Sequence, residues 1–384
     1  MHTLATCFRR AGRRYGSFAL IAAALLLGPA IHAAPLQWQV DITPNGELFP
    51  VLDLSQASHP AGDAVGQGNG LVAIRVKSDA KRTIRLHVET AGLLAPATID
   101  TTIDGTGGPI ELRPRLAWDR AQIETLAAPR TQHLHVRIES DGLPSEQRDI
   151  AVRLHPLDEA LYYVREGRER VDLGAVFAAY VDPSDPVVDD VLGLAKTYVP
   201  DVAAPADSVD ARMERVRAVW RALESHGMRY AGDDPAIARG PSIFSQRVRL
   251  LADSWNERQA NCIDSSVLIA SVLERLGIRS FIVLVPRHAF IGFYADDGEN
   301  GAEYLETTLL GAVPATGASA GTAGSHPSSF ETALSSGRAR WNRSAAKFDG
   351  RHRPDYQRVD IRLARARGTL PIGRVGDAFR GAAK

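Results

Sequence analysis

Gln259-Ala260-Asn261-Cys262-Ile263-Asp264-Ser265-Ser266 opens the stretch whose reading decides the fold. Ile263, Val267, Ala270, Leu273 and Leu276 recur at helical spacing and Gly277 is a stop, so the pattern predicts a helix from Cys262 to about Leu276. Cys262 then stands at or just before the helix N-terminus. Unpaired backbone N–H groups and the positive end of the helix dipole favour an anion there. Such a place favours the thiolate, the nucleophilic form, and the same N–H groups can hold an oxyanion.

Downstream, Phe281 to Val285 is a continuous apolar run, as in a buried strand, and Pro286-Arg287 turns the chain. His288 heads a second strand that runs to Tyr294. Glu303 to Thr308 reads as a third, on which Glu306 can approach the far nitrogen of His288. A Cys–His–carboxylate set has a clear logic: imidazole takes the thiol proton and later gives it to a leaving group, while the carboxylate fixes the ring's tautomer and orientation. Singly, a buried Cys, a strand His and a strand Glu are commonplace. Helix, strand and strand carrying Cys, His and acid in that order form a specific arrangement.

On these residues the region resembles the transglutaminase-like superfamily, cysteine enzymes of papain-like fold. Leu276-Gly277-Ile278 matches the family's helix end. His288-Ala289-Phe290 corresponds to its His–small–aromatic element, and Leu305-Glu306-Thr307-Thr308 stands where the family has Leu-Asp-Pro-Thr. The resemblance implies a catalytic triad of Cys262, His288 and Glu306 acting on an amide, with no cofactor. The chain as a whole is similar to exported bacterial members that carry a β-rich N-terminal part. It departs from the pattern in Glu306, one methylene longer than the usual Asp. Arg287 beside the His is expected to disfavour imidazolium while helping a thiolate or an acidic substrate. The family's aromatic oxyanion helper has no clear counterpart. Gln259, Gln246 and Trp255 are candidates, and Asp264 is read as a dipole and capping residue of the first helical turn.

Working outward, Val209, Met213, Val216, Trp220 and Leu223 form the core stripe of a helix capped at Asp207 or Ser208 and stopped by Gly227. Ile243 to Trp255 reads as another helix, Val171 to Tyr180 as a short one, and Phe330 to Phe348 as a third. Tyr356 to Leu363 reads as an edge strand. Between about 36 and 155 the period is two: Ile84, Leu86 and Val88 share one face, as do Leu134, Val136 and Ile138, and Ile150, Val152 and Leu154. Short strands with Gly- and Pro-bearing turns predict a β-sandwich, interrupted by a helix near Trp118 to Leu126. His133 and His135 fall on its solvated face rather than at metal-ligand spacing.

The expected fold class is therefore α+β: a β-sandwich over 34–157, a transglutaminase-like domain over 158–311, and a linker, helix and basic segment over 312–384. Residues 351–384 hold nine Lys or Arg against three Asp, which reads as a solvated tail able to touch anionic envelope polymers. Residues 1–33 have the layout of a secretory leader: four arginines, an apolar run from Phe18 to Ile31, and small residues at Ala33-Ala34. This places the protein in the periplasm, with an uncleaved anchor as the alternative and no other membrane contact. Lys plus Arg equals Asp plus Glu, 45 each, so no overall basic field draws nucleic acid. Two cysteines, Cys7 and Cys262, exclude a disulfide scaffold. The expected activity is acyl transfer or hydrolysis on a protein or peptide substrate, or an envelope polymer. Two other readings use the same residues: a non-catalytic binding or assembly module, and a zinc site built from Cys262, His288 and Glu306.

Overall fold

Alternating apolar residues give the first part of the chain its strands, because every second side chain of an extended segment shares a face. The structure, a computed structural model, describes residues 36–57, 64–67, 70–105, 107–232, 237–239, 242–298, 301–311 and 329–373. The expected leader and most of the small-residue stretch after Gly311 lie outside the described residues, as do residues 374–384. No helix among the described residues is long and apolar enough to cross a membrane. Helix and strand occur in comparable amounts, about 31% and 36%, so the chain is a mixed α and β protein, in keeping with the α+β expectation.

The chain divides into two compact units, one of residues 1–157 with 165–171 and one of 158–164 with 172–384. The first holds a six-stranded sheet in the order Glu47–Leu48, Leu143–Leu154, Arg130–Ser140, Arg82–Thr90, Leu94–Ile103 and Ala117–Trp118. A four-stranded sheet orders Gln37–Ile42, Val72–Lys77, Ile110–Arg113 and Ala64–Gly66. Ile84, Leu86, Val88, Leu134 and Val136 are all fully buried. His133 and His135 are exposed, and His135 Nδ1 lies 2.6 Å from the cross-strand Asp149. The expected helical interruption is a short helix, Arg120–Glu124, capped by Asp119 accepting from the Gln122 N–H.

In the second unit, β1 (Glu159–Glu166, whose last two residues fall in the first unit) is followed by α1 (Pro186–Ala195), α2 (Val209–His226), β2 (Ile243–Arg247), α3 (Leu251–Glu257) and α4 (Cys262–Arg275). Then come β3 (Ser280–Val285), β4 (His288–Tyr294), β5 (Ala302–Leu305), α5 (Ser329–Ser344), β6 (Gln357–Asp360) and α6 (Ile361–Ala366). Ser208 caps α2 and Gly227, at φ +88°, ends it. α4 packs against β3 and β4 and is buried along its length from Ile263 to Leu273. Its end is a Schellman turn: the Ile278 N–H donates to Leu273 O and the Gly277 N–H to Glu274 O, with Gly277 at φ +73°. The sheet beneath it is antiparallel in the order β5-β4-β3-β6.

Four expectations need correction. Ile243 to Arg247 is a strand, not the first half of a helix; its ladder with Glu159–Val164 of β1 overrides local spacing. The segment before Tyr180 is a 3₁₀ turn, Gly174–Tyr180. The strand expected to reach Thr308 stops at Leu305, where Glu306 caps a 3₁₀ turn, Thr307–Leu309. The basic segment is not a free tail across 357–366: the expected edge strand is present as β6, paired along Phe281–Leu284, but it ends at Asp360, which caps α6.

Candidate active site

The Cys262 position is set by a capping box. Asn261 Oδ1 accepts from the Ile263 and Asp264 N–H groups at 2.9 and 3.0 Å, and Asp264 Oδ2 accepts from the Asn261 N–H at 3.1 Å. Asp264, 1% exposed, also accepts the Arg249 N–H through Oδ1 at 2.9 Å. The capping role read for Asp264 is thus its observed geometry. It revises the expected oxyanion site, because two first-turn N–H groups are spent on the cap. The donor that the cap leaves is the N–H of Cys262 itself. Cys262 is a free, half-buried thiol. Its carbonyl accepts from Ser266 Oγ at 2.6 Å and Thr307 Oγ1 at 3.2 Å, which ties the helix start to the turn carrying Glu306.

His288 follows the two-residue turn Pro286-Arg287 and pairs across it with Val285. Its Nε2 lies 2.9 and 3.0 Å from the two Glu306 oxygens. The Cys262 side chain lies close enough to the ring to favour its charge; with Nε2 engaged by Glu306, Nδ1 is the nitrogen left to face sulfur. The structure therefore brings Cys262, His288 and Glu306 together. Burial opposes a charge on His288, but the Cys262 side chain, the hydrogen bonds to Glu306 and the Glu306 charge outweigh it, pushing its pKa up to about 9. Burial likewise opposes the Glu306 charge, yet His288, Thr308 and Arg340 hold its carboxyl down to about 2. The expectation that Arg287 would disfavour imidazolium is overturned. Arg287 is exposed and screened by water, whereas Glu306 touches the ring directly.

Sequence reasoning missed Arg340. Its Nε donates to Glu306 Oε2 at 2.6 Å from α5. α5 comes close because Gly337, one turn earlier, has no Cβ: a Cβ there would sit 2.4 Å from Tyr304 O. On the same side Ala333 O accepts the Glu306 N–H at 3.0 Å. A glycine inside a helical pattern is the one signal that pointed to this approach. Gly337→Ala must push α5 off β5, and is expected to destabilise the protein by about 1–3 kcal/mol, as overpacking does. Denaturant unfolding measures this; a neutral or stabilising effect would refute the close approach.

The other candidates separate. Gln259 is exposed on a two-residue strand paired with Arg229–Tyr230. Trp255 stacks on His226 with ring centroids 3.5 Å apart, and His226 Nε2 lies 3.1 Å from Trp255 O. Gln246, on β2, lines a small cavity with His288, Arg287, Tyr162, Pro354 and Asp355. The zinc reading is not met: among the described residues, no group of three or more His, Cys, Asp or Glu is placed to hold a metal ion.

No protein-family model matches the chain, and no curated protein matches it. Among solved structures, the crystal structure of red sea bream transglutaminase aligns over 62% of this chain and 48% of that one, at 11% identity and a TM-score of 0.20. The chain thus spans about half the length of that structure, and the likeness is too slight to set fold or chemistry.

Proposed function

We propose that this protein is an exported, transglutaminase-like cysteine enzyme that transfers or hydrolyses an acyl group at an amide. The observation that carries the reading is His288, its Nε2 2.9 and 3.0 Å from the two oxygens of a buried Glu306 and its ring beside the Cys262 side chain. The Cys262 sulfur attacks the amide carbon, and the thiol proton resides on His288 as imidazolium. Glu306 stabilises that cation and fixes the ring. The imidazolium then protonates the leaving nitrogen, the C–N bond breaks and a thioester remains. Water or an amine, deprotonated by His288, attacks the thioester and restores the thiol. The Cys262 N–H and the Gln246 amide are the donors offered to the oxyanion, Gln246 being the one of the three candidates that lines the cavity beside His288. The leader carries the protein to the periplasm. The paired sheets of the first unit form the β-sandwich that precedes the papain-like domain, and the substrate is a protein, a peptide or an amide-bearing envelope polymer.

The test uses casein in two forms: dye-labelled casein for hydrolysis, and methylated casein with a fluorescent primary amine for transfer. At least one reaction is expected, lost in Cys262→Ala. A signal that survives Cys262→Ala, or none in the wild type, refutes this reading and leaves the fold as a non-catalytic binding module.

A further inference from the structure

Several arginines of the second unit pair with carboxylates: Arg212 with Asp297, Arg247 with Asp158, Arg275 with Asp189, Arg338 with Glu303 and Arg340 with Glu306. Arg287 is not one of these. It has no hydrogen-bond or ion-pair partner among the described residues. It lines the same cavity as His288. It also occupies a place where arginine is conformationally disfavoured. Val285 pairs with His288, so Pro286-Arg287 is a two-residue loop, and Arg287 takes φ +62°. Proline first and a positive φ second is the type II pattern, whose second position favours glycine or asparagine. The chain thus keeps an unpartnered guanidinium beside the imidazole at a backbone position suited to a residue without a side chain. Strain of this kind points to function when a local observation supports it, and the shared cavity is that observation.

We propose that Arg287 reads a carboxylate on the substrate, so that the site selects an amide with a free carboxylate beside the scissile bond. This rests on the cysteine-enzyme reading above. The guanidinium fork matches a carboxylate in a bidentate manner. The cavity holds about 20 Å³, room for a small polar head and not for a larger side chain. Asp355 adds one negative charge to the lining, and Arg287 with the His288 imidazolium outnumbers it.

The test alkylates Cys262 in the full chain carrying Cys7→Ser, which leaves a single thiol. Iodoacetate and iodoacetamide react by one displacement: sulfur bonds to the CH₂ carbon and iodide leaves. They differ in bearing a carboxylate or a neutral amide. The ratio of their rates cancels changes in thiol reactivity. In Arg287→Gly and Arg287→Asn, both at ease with positive φ, the iodoacetate-to-iodoacetamide ratio is expected to fall about fivefold or more, the effect of one unit charge near 4 Å in water. A thiol reactive in every variant with an unchanged ratio overturns this proposal alone. A thiol inert to both reagents in the wild type sinks the enzyme reading and this proposal together. Protection against iodoacetamide identifies the source of the carboxylate. N-acetylalanine offers a chain-terminal carboxylate, N-acetylglutamic acid α-amide an acidic side chain, and N-acetylalaninamide neither. Protection by either acid above the neutral amide supports the proposal. Equal protection by all three, or by none, overturns it.

Discussion

Cys262→Ala and His288→Ala are each expected to lower kcat for amide acyl transfer by roughly 10³-fold or more, and the double variant to be no worse than either single one. The non-additivity follows from the geometry. Cys262 lies beside His288, and the proton that leaves sulfur is the one His288 later gives to the leaving nitrogen. Without the imidazole, the thiol has no partner for its proton; without the thiol, the imidazole has no nucleophile to serve. The residual rate then comes from what neither substitution touches, the backbone N–H at the helix start and the binding surface. Steady-state kinetics of the two single variants and the double variant on one substrate decides the matter. Losses that multiply, or singles within about tenfold of wild type, mean that the two residues do not act as one unit.

What the sequence made legible was local. Asn261 and Asp264 bracket Cys262 at capping spacing, and Gly277 follows the last apolar position, so the helix bearing the thiol could be read from adjacent residues. The β3–β4 hairpin was equally open, since Pro286-Arg287 interrupts an apolar run just before His288. In the first unit, strict alternation exposed the strands, because a one-residue slip would turn Ile84, Leu86 and Val88 to solvent. The misses are long-range. Ile243–Arg247 becomes a strand only because Glu159–Val164 lies beside it, and no nearby residue announces that partner. Arg340 reaches Glu306 across 34 residues, including the stretch after Gly311. Its approach is set by the missing Cβ of Gly337 against Tyr304 O. Cap chemistry was visible, yet its consequence for the oxyanion was not, since that requires knowing which N–H groups the cap consumes.

Glu306→Gln is expected to produce the second large effect, and its pH dependence separates a charge role from a packing role. His288 is raised from 6.5 to about 9 in the folded protein, so the stability this gives is fully present below pH 6.5 and is lost as pH rises through 9. Glu306 is lowered from 4.5 to about 2, so its contribution is present above pH 4.5 and is lost as pH falls through 2. Both are complete between pH 4.5 and 6.5. At pH 6 the variant leaves the His288 cation and Arg340 without their buried anion, where the Glu306 side chain is only 4% exposed. Breaking such a pair is expected to cost about 3 kcal/mol. At pH 10 the wild-type imidazole is already neutral, so the difference between the proteins must shrink. The same substitution moves the alkaline limb of activity from about 9 toward the ordinary histidine value of 6.5, because the proton donor to the leaving nitrogen is the imidazolium. It lowers kcat by up to about 10⁴-fold, the loss seen when a triad carboxylate becomes an amide. Denaturant unfolding at pH 6 and pH 10, beside a pH profile of kcat, measures each part. An equal stability loss at both pH values, with the alkaline limb unmoved, would mean that Glu306 holds the turn in place without governing the proton on His288.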